Sequence, residues 1–313
     1  MAIQNLKATV NSSSSSIRAN SIKHVRDENL KTLLSKKKLH LVLDLDNTIL
    51  ESSIFEDLTK YDRDYIQRSV GVKMIEEKKL YQWVCEGKGY KVRLSVFPDV
   101  YLTKLRPYVK TFLKEASKLF DKSIFTLGNL AYTTKMLELL DPERLYINSQ
   151  VITREYVPLS TPWRKGHDLL KSHERVVLVV DDAKDVWEAN TKNLIDIAPY
   201  GFFDDESSDK KSWTRKWEDE SDKYGELARV LRELKKIHKE FYNLEEGEDY
   251  ESRDVRDAIE EVKRKFSLQG TKQGMISQHA KETTSEIDEC FKSMDLNCRR
   301  NRLNRIQTSH DVM

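Results

Sequence analysis

The chain has 313 residues, room for one to three domains and a sizeable core. Its 54 basic and 52 acidic residues leave a net charge of +2, which gives no global attraction to nucleic acid or to an acidic membrane. No apolar window approaches a membrane span, the N-terminus lacks the apolar core of a secretory signal, and Cys85, Cys290 and Cys298 form no CxxC pair. A soluble protein of a reducing compartment, without a disulfide framework or zinc site, is expected.

Residues 1–35 read as a disordered leader: no acidic residue precedes Asp27, and serine fills positions 12 to 16. That composition also loosely resembles an organelle transit peptide. LHLVLD, from Leu39 to Asp44, is a short apolar run ending in acid, as a buried parallel strand ends at its functional edge. The charged segment 51–104 predicts an insertion with a helix near Asp57 to Val70 and a hairpin over KLYQWVCEGKGYKVRLSV. Val109, Phe112, Leu113, Ala116 and Leu119 recur at helical spacing, with Pro107 placed for a first turn. SIFT (Ser123 to Thr126) predicts the next strand, and Ala131 to Leu140 a helix stopped by Asp141-Pro142. RVVLVVDD (Arg175 to Asp182) and NLIDIAPY (Asn193 to Tyr200) complete a strand and helix alternation that predicts an α/β fold, a parallel sheet covered on both faces. Beyond Phe203, apolar stripes over Gly225 to Phe241 and Glu251 to Phe266 predict two amphipathic helices in a charged extension spanning 205–269. The domain proper covers 36–204, and 270–313 reads as a disordered tail.

Ligands of such sheets bind at the carboxyl ends of the strands, and Asp44, Thr126, Asp181 and Asp182 all fall there. In DLDNT an extended backbone points Asp44 and Asp46 to one side. Two acids there can divide the labour of phosphoryl transfer: an ionised Asp44 attacks phosphorus, and Asp46 protonates the leaving oxygen and then deprotonates water. Magnesium prefers oxygen ligands, which Asp181 and Asp182 supply beside Asp44 and Asp46. Thr126 is expected to donate to the phosphoryl group, and Lys165 to balance its charge. Taken singly, a DxD is more often a capping turn, a DD pair is usually solvated, and a lone lysine is a surface residue. Order and spacing together carry the functional reading.

These residues match the four motifs of the haloacid dehalogenase superfamily. KLRPYVKTFLKEASKLF, IFTLGNLAYTTKMLELLDP and VVLVVDDAKDVWEANTKNLIDIAPYGFF narrow the resemblance to the Fcp-type phosphatases acting on the C-terminal domain (CTD) of RNA polymerase II. The resemblance implies a haloacid-dehalogenase-like Rossmannoid fold, Mg²⁺, a phospho-CTD substrate, TFIIF as a further partner, and residence in the nucleus. It also implies Thr48 as support for the nucleophile loop at the substrate side, and Arg106 as a guanidinium that clamps phosphate. Trp187 and Asn190 match too, as packing and loop support. The chain departs from the family at Tyr108, where glycine is common, and at Ala183, where arginine is common. Longer members carry a BRCT domain, and the helical region after Phe203 has no such α/β pattern. A weakly catalytic phosphoprotein scaffold and a phosphatase of small metabolites are the alternative readings.

Overall fold

A computed structural model describes residues 20–68, 80–84, 100–187, 191–208, 211–243 and 249–265. In chain order they form a helix over 20–35 (α1), then β1 (Leu39–Leu43), β2 (Leu50–Ile54), α2 (Lys60–Arg68), β3 (Leu80–Val84), β4 (Val100–Leu105) and α3 (Val109–Ala116). There follow β5 (Phe120–Phe125), α4 (Leu130–Leu140), β6 (Val151–Ile152), β7 (Val177–Asp181), β8 (Leu194–Asp196), α5 (Trp213–Lys216) and α6 (Glu226–Phe241). A last helix, α7, covers 255–265. One compact unit spans 1–259 and a second 260–313, of which only 260–265, helical, is described.

Five parallel strands form the main sheet in the order β6-β5-β1-β7-β8. β1 is fully buried along LHLVL, and each of its aliphatic side chains contributes roughly 1.5–3 kcal/mol by leaving water. That holds the strand at the centre, with β5 on one side and β7 on the other. β2, β4 and β3 form a separate antiparallel sheet in that order. It packs with α2 and the 200–203 segment through Leu58, Tyr65, Leu80, Leu102, Tyr200 and Phe202. β3 lies inside the predicted hairpin, whereas β4, its partner, was not anticipated. The predicted second arm, at 86–96, lies outside the described residues.

Residues 20–35 correct the expectation of a wholly disordered leader. Leu30, Leu33 and Leu34 sit at helical spacing and are buried, and Arg26 donates from Nε to Leu170 O (3.1 Å) and from Nη2 to His167 O (2.8 Å). Residues 1–19 and the expected tail at 270–313 lie outside the described residues. Pro107 also differs from expectation: it precedes the N-cap of α3, Tyr108, whose φ of 69° is left-handed. That conformation costs a residue with a Cβ roughly 1–2 kcal/mol, which explains why glycine suits this position. α6 packs on α3, with Lys235 reaching Glu115 at 3.1 Å, so this predicted helix covers the core through Leu227, Val230, Leu231, Leu234, Ile237 and Phe241.

One polar ring inside β1 makes stability depend on pH. His40 Nε2 lies 2.7 Å from Ser123 Oγ, and burial, outweighing the nearby Asp121 charge, lowers the ring from 6.5 to about 4. Between those values the unfolded chain binds the proton that the folded chain refuses, so stability is lost as pH falls from 6.5 toward 4. The loss attributable to this ring approaches about 3 kcal/mol. Chemical denaturation at pH 7 and pH 4.5 should show a smaller acid loss in His40→Gln than in wild type; equal losses would contradict the assignment.

Candidate active site

Because β5 and β7 flank β1, the residues leaving their carboxyl ends meet. Leu43 pairs with Ile124 on one side and Val180 on the other, so Asp44 emerges between Thr126 and the Asp181-Asp182 pair. Asp44 N donates to Val180 O at 3.1 Å, which carries the ladder one residue past β1. Lys165 Nζ lies 2.6 Å from Asp44 Oδ1 and 2.7 Å from Asp181 Oδ2, all three groups being buried. Asp181 is oriented further by Trp187 Nε1 (2.9 Å to Oδ2) and Ala183 N (2.9 Å to Oδ1). The expected supporting part of Trp187 is therefore specific: it fixes this carboxylate. Asn190 lies outside the described residues.

One carboxylate oxygen each from Asp44, Asp181 and Asp182 lies within 4.8 Å of the other two. Three hard oxygen donors on one crevice suit a divalent cation that keeps water on its remaining positions. The Asp46 carboxylate, expected among the ligands, is not part of this group among the described residues. After β1 the chain turns through Asn47, at a φ of 59°, with Leu45 O accepting from the amides of Thr48, Ile49 and Leu50. The turn separates the two acids. Asp46 Oδ1 accepts instead from the Tyr132 hydroxyl, whose oxygen also lies 2.9 Å from Ser52 Oγ.

The acids consequently differ in chemistry. Burial pushes the Asp44 carboxyl up, and the Lys165 ammonium, 2.6 Å away, opposes this by favouring its charged form. Burial likewise lifts Asp46, but the Tyr132 hydrogen bond holds it at about 6, a value suited to releasing and regaining a proton near neutrality. Burial works against the Lys165 charge, yet Asp44 and Asp181 together keep its ammonium above the ordinary value. Asp182 is raised by burial, opposed by the Thr48 hydrogen bond.

Thr126 is buried at the end of β5, its Oγ1 accepting from Gly128 N at 3.0 Å. Gly128 must lack a side chain, since a Cβ there would stand 2.8 Å from the Tyr132 ring. Arg106 calls for correction as a clamp on phosphate, and Thr48, expected as loop support at the substrate side, contacts the acidic pair. Thr48 Oγ1 donates to Asp182 Oδ1 (2.8 Å) and accepts from Asp182 N (3.2 Å), so it buckles the turn after β1 to the acidic pair. Arg106 is fully buried and grips Glu220 with Nε (2.9 Å) and Nη2 (2.6 Å). Its remaining donors meet Ala198 O at 2.9 Å and Thr48 O at 2.9 Å. The guanidinium is committed to protein groups and is not presented to phosphate. Tyr132 is the residue sequence reasoning missed; its one sequence signal was a place in the first turn of a helix that follows a sheet strand.

A family model described as NLI interacting factor-like phosphatase matches residues 39–242. RNA polymerase II C-terminal domain phosphatase-like 4 of Arabidopsis thaliana is 36% identical over 80% of this chain and 55% of its own length. An RNA polymerase II C-terminal domain phosphatase of Schizosaccharomyces pombe is 27% identical over 65% of this chain and 27% of its own. The chain thus spans about half of the first relative and about a quarter of the second. Among solved structures, that of Fcp1, an essential RNA polymerase II CTD phosphatase, aligns with a TM-score of 0.59 and 22% identity, covering 75% of this chain and 73% of that one. At that identity the likeness concerns the fold, which agrees with the haloacid-dehalogenase-like sheet expected from the sequence. With the model match running from the first sheet strand through α6, the chain belongs to the NLI interacting factor-like phosphatase family.

Proposed function

We propose that the chain hydrolyses phosphoserine in the C-terminal domain of RNA polymerase II, with Asp44 as nucleophile. The observation that carries this reading is the division of the two acids: Asp44 sits on the Lys165 ammonium beside Asp181, and Asp46 on the Tyr132 hydroxyl. Asp44 attacks phosphorus, the bond from phosphorus to the serine oxygen breaks, and Asp46 gives that oxygen its proton. Water then attacks the aspartyl-phosphate, Asp46 takes the water's proton, and the bond from Asp44 to phosphorus breaks. Lys165 offsets the charge of the equatorial oxygens, and Thr126, whose oxygen already accepts from Gly128 N, has its own proton for one of them. Held by Asp44, Asp181 and Asp182, Mg²⁺ would neutralise the phosphate charge that otherwise repels the carboxylate.

The choice of substrate is supported by the relatives named above, whose names specify the polymerase tail. The same reading takes the nucleus as the site of action and TFIIF as a partner. Purified protein should release phosphate from a phosphoserine peptide copying the tail, and EDTA should stop it. Greater efficiency on a phosphorylated sugar than on the peptide would overturn the substrate, and no release from either would overturn the reaction.

A further inference from the structure

The acidic run Asp219, Glu220, Ser221, Asp222 lies across the junction of β4 and α3, far in sequence from the nucleophile turn. Asp219 Oδ2 meets the buried Lys104 Nζ at 2.5 Å, and its Oδ1 accepts from the Tyr200 hydroxyl at 2.8 Å. Glu220 takes both Nε and Nη2 of Arg106. Asp222 Oδ1 accepts from Tyr108 N at 2.6 Å, capping the left-handed residue that opens α3. From the other side, Arg106 Nη1 donates to Thr48 O (2.9 Å) and Asn47 O (3.4 Å), and Arg106 N donates to Ile49 O (3.1 Å). These three carbonyls belong to the turn that joins Asp46 to β2.

We propose that Glu220 is a positioning residue for the nucleophile turn, acting through Arg106. The inference rests on the reading of Asp44 and Asp46 as the reacting acids. A guanidinium has a planar fork of donors, and a carboxylate gripping one edge in two places fixes the direction of the other edge. Here the second edge holds the backbone that sets where Asp46 and Thr48 stand. Thr48 in turn fixes Asp182, so one carboxylate contributed by a distant segment aligns the turn and one member of the acidic group. Displacements on the order of 1 Å at reacting groups lower rates by about 100-fold, so such a tether bears on turnover as well as on folding.

Glu220→Gln keeps the size of the side chain and removes the charged fork. Asp222→Ala removes the cap on Tyr108 and leaves Arg106 untouched. Both are compared with wild type well below their melting temperatures, with an aryl phosphate and a phosphoserine peptide. The expected result is a fall in kcat of roughly 10- to 100-fold for Glu220→Gln on both substrates, with KM within about twofold, and wild-type kcat for Asp222→Ala. Hydrogen exchange of the amides of residues 47–50 should rise in Glu220→Gln and stay unchanged in Asp222→Ala. Wild-type kcat and wild-type exchange in Glu220→Gln would overturn the proposal, as would equal losses in both variants. A wild-type protein inactive on both substrates would sink the functional reading, and the exchange comparison alone then decides the positioning of the turn.

Discussion

Asp44→Asn loses phosphate release by a factor on the order of 10⁴ or more, on aryl phosphate and phosphopeptide alike. The amide is close to the carboxylate in size, and no group within the described crevice stands ready to replace the attacking oxygen. Asp181 is held by Lys165, Trp187 and the Ala183 amide, and Asp182 by Thr48. Asp46 faces Tyr132 on the far side of the turn. The fold should persist, because the substitution removes a carboxylate that Asp181 repels and leaves Lys165 its ion pair to Asp181. Phosphate release and the melting temperature together check this. A variant with substantial activity and intact folding would remove Asp44 from the nucleophile's place.

Lys165→Met is expected to damage both stability and turnover. The ammonium is buried between Asp44 and Asp181, and its removal leaves two carboxylates facing each other in a low-dielectric crevice. Breaking a buried pair in this way costs about 3–5 kcal/mol. The loss depends on pH with a definite sign. Without the cation the Asp44 carboxyl, already raised by burial, relieves the repulsion by taking up a proton, so the destabilisation is largest at high pH and shrinks as pH falls through the raised Asp44 pKa. Turnover should fall by roughly 100- to 1,000-fold, since the charge is lost where the phosphoryl oxygens gather. Mg²⁺ should then raise the melting temperature more in the variant than in wild type, because it brings positive charge back to the same carboxylates. Denaturation curves with EDTA and with Mg²⁺ test this; a variant as stable as wild type in EDTA would contradict the geometry.

Much of this site was legible because its parts end short apolar strands. LHLVLD and VVLVVDD announce β1 and β7 by composition, and their acids mark the edge where ligands bind. Lys165 was found by its spacing from Asp181, and the structure brings its amine to both carboxylates. β5 was seen only in its apolar half, since Asp121 and Lys122 interrupt the run before Ser123. β4 was missed because VYLTKL borders a charged insertion, and its pairing with β2 and β3 is a tertiary fact.

Arg106 shows the limit most clearly. A guanidinium near an active-site motif suits phosphate, and nothing local reveals a carboxylate 114 residues later that occupies it. The same holds for Asp46, which was expected on the same side as Asp44 and among the metal ligands. The turn at Asn47 instead carries it to the Tyr132 hydroxyl, a partner 86 residues away. The first helix was hidden for another reason: the serine run and acid-poor flank dominate the composition, while its buried residues, Leu30, Leu33 and Leu34, are few.

The central claim is a covalent phosphate on Asp44, and it can be caught. With an aryl phosphate the leaving group needs no proton, so Asp46→Asn should still form the intermediate while losing the base that activates water. Rapid acid quench of this variant after mixing with labelled aryl phosphate should therefore trap label on the protein. Peptide mapping should place it on Asp44, as an acyl phosphate released by hydroxylamine. Label on another residue, or none during a measurable turnover, would contradict the account.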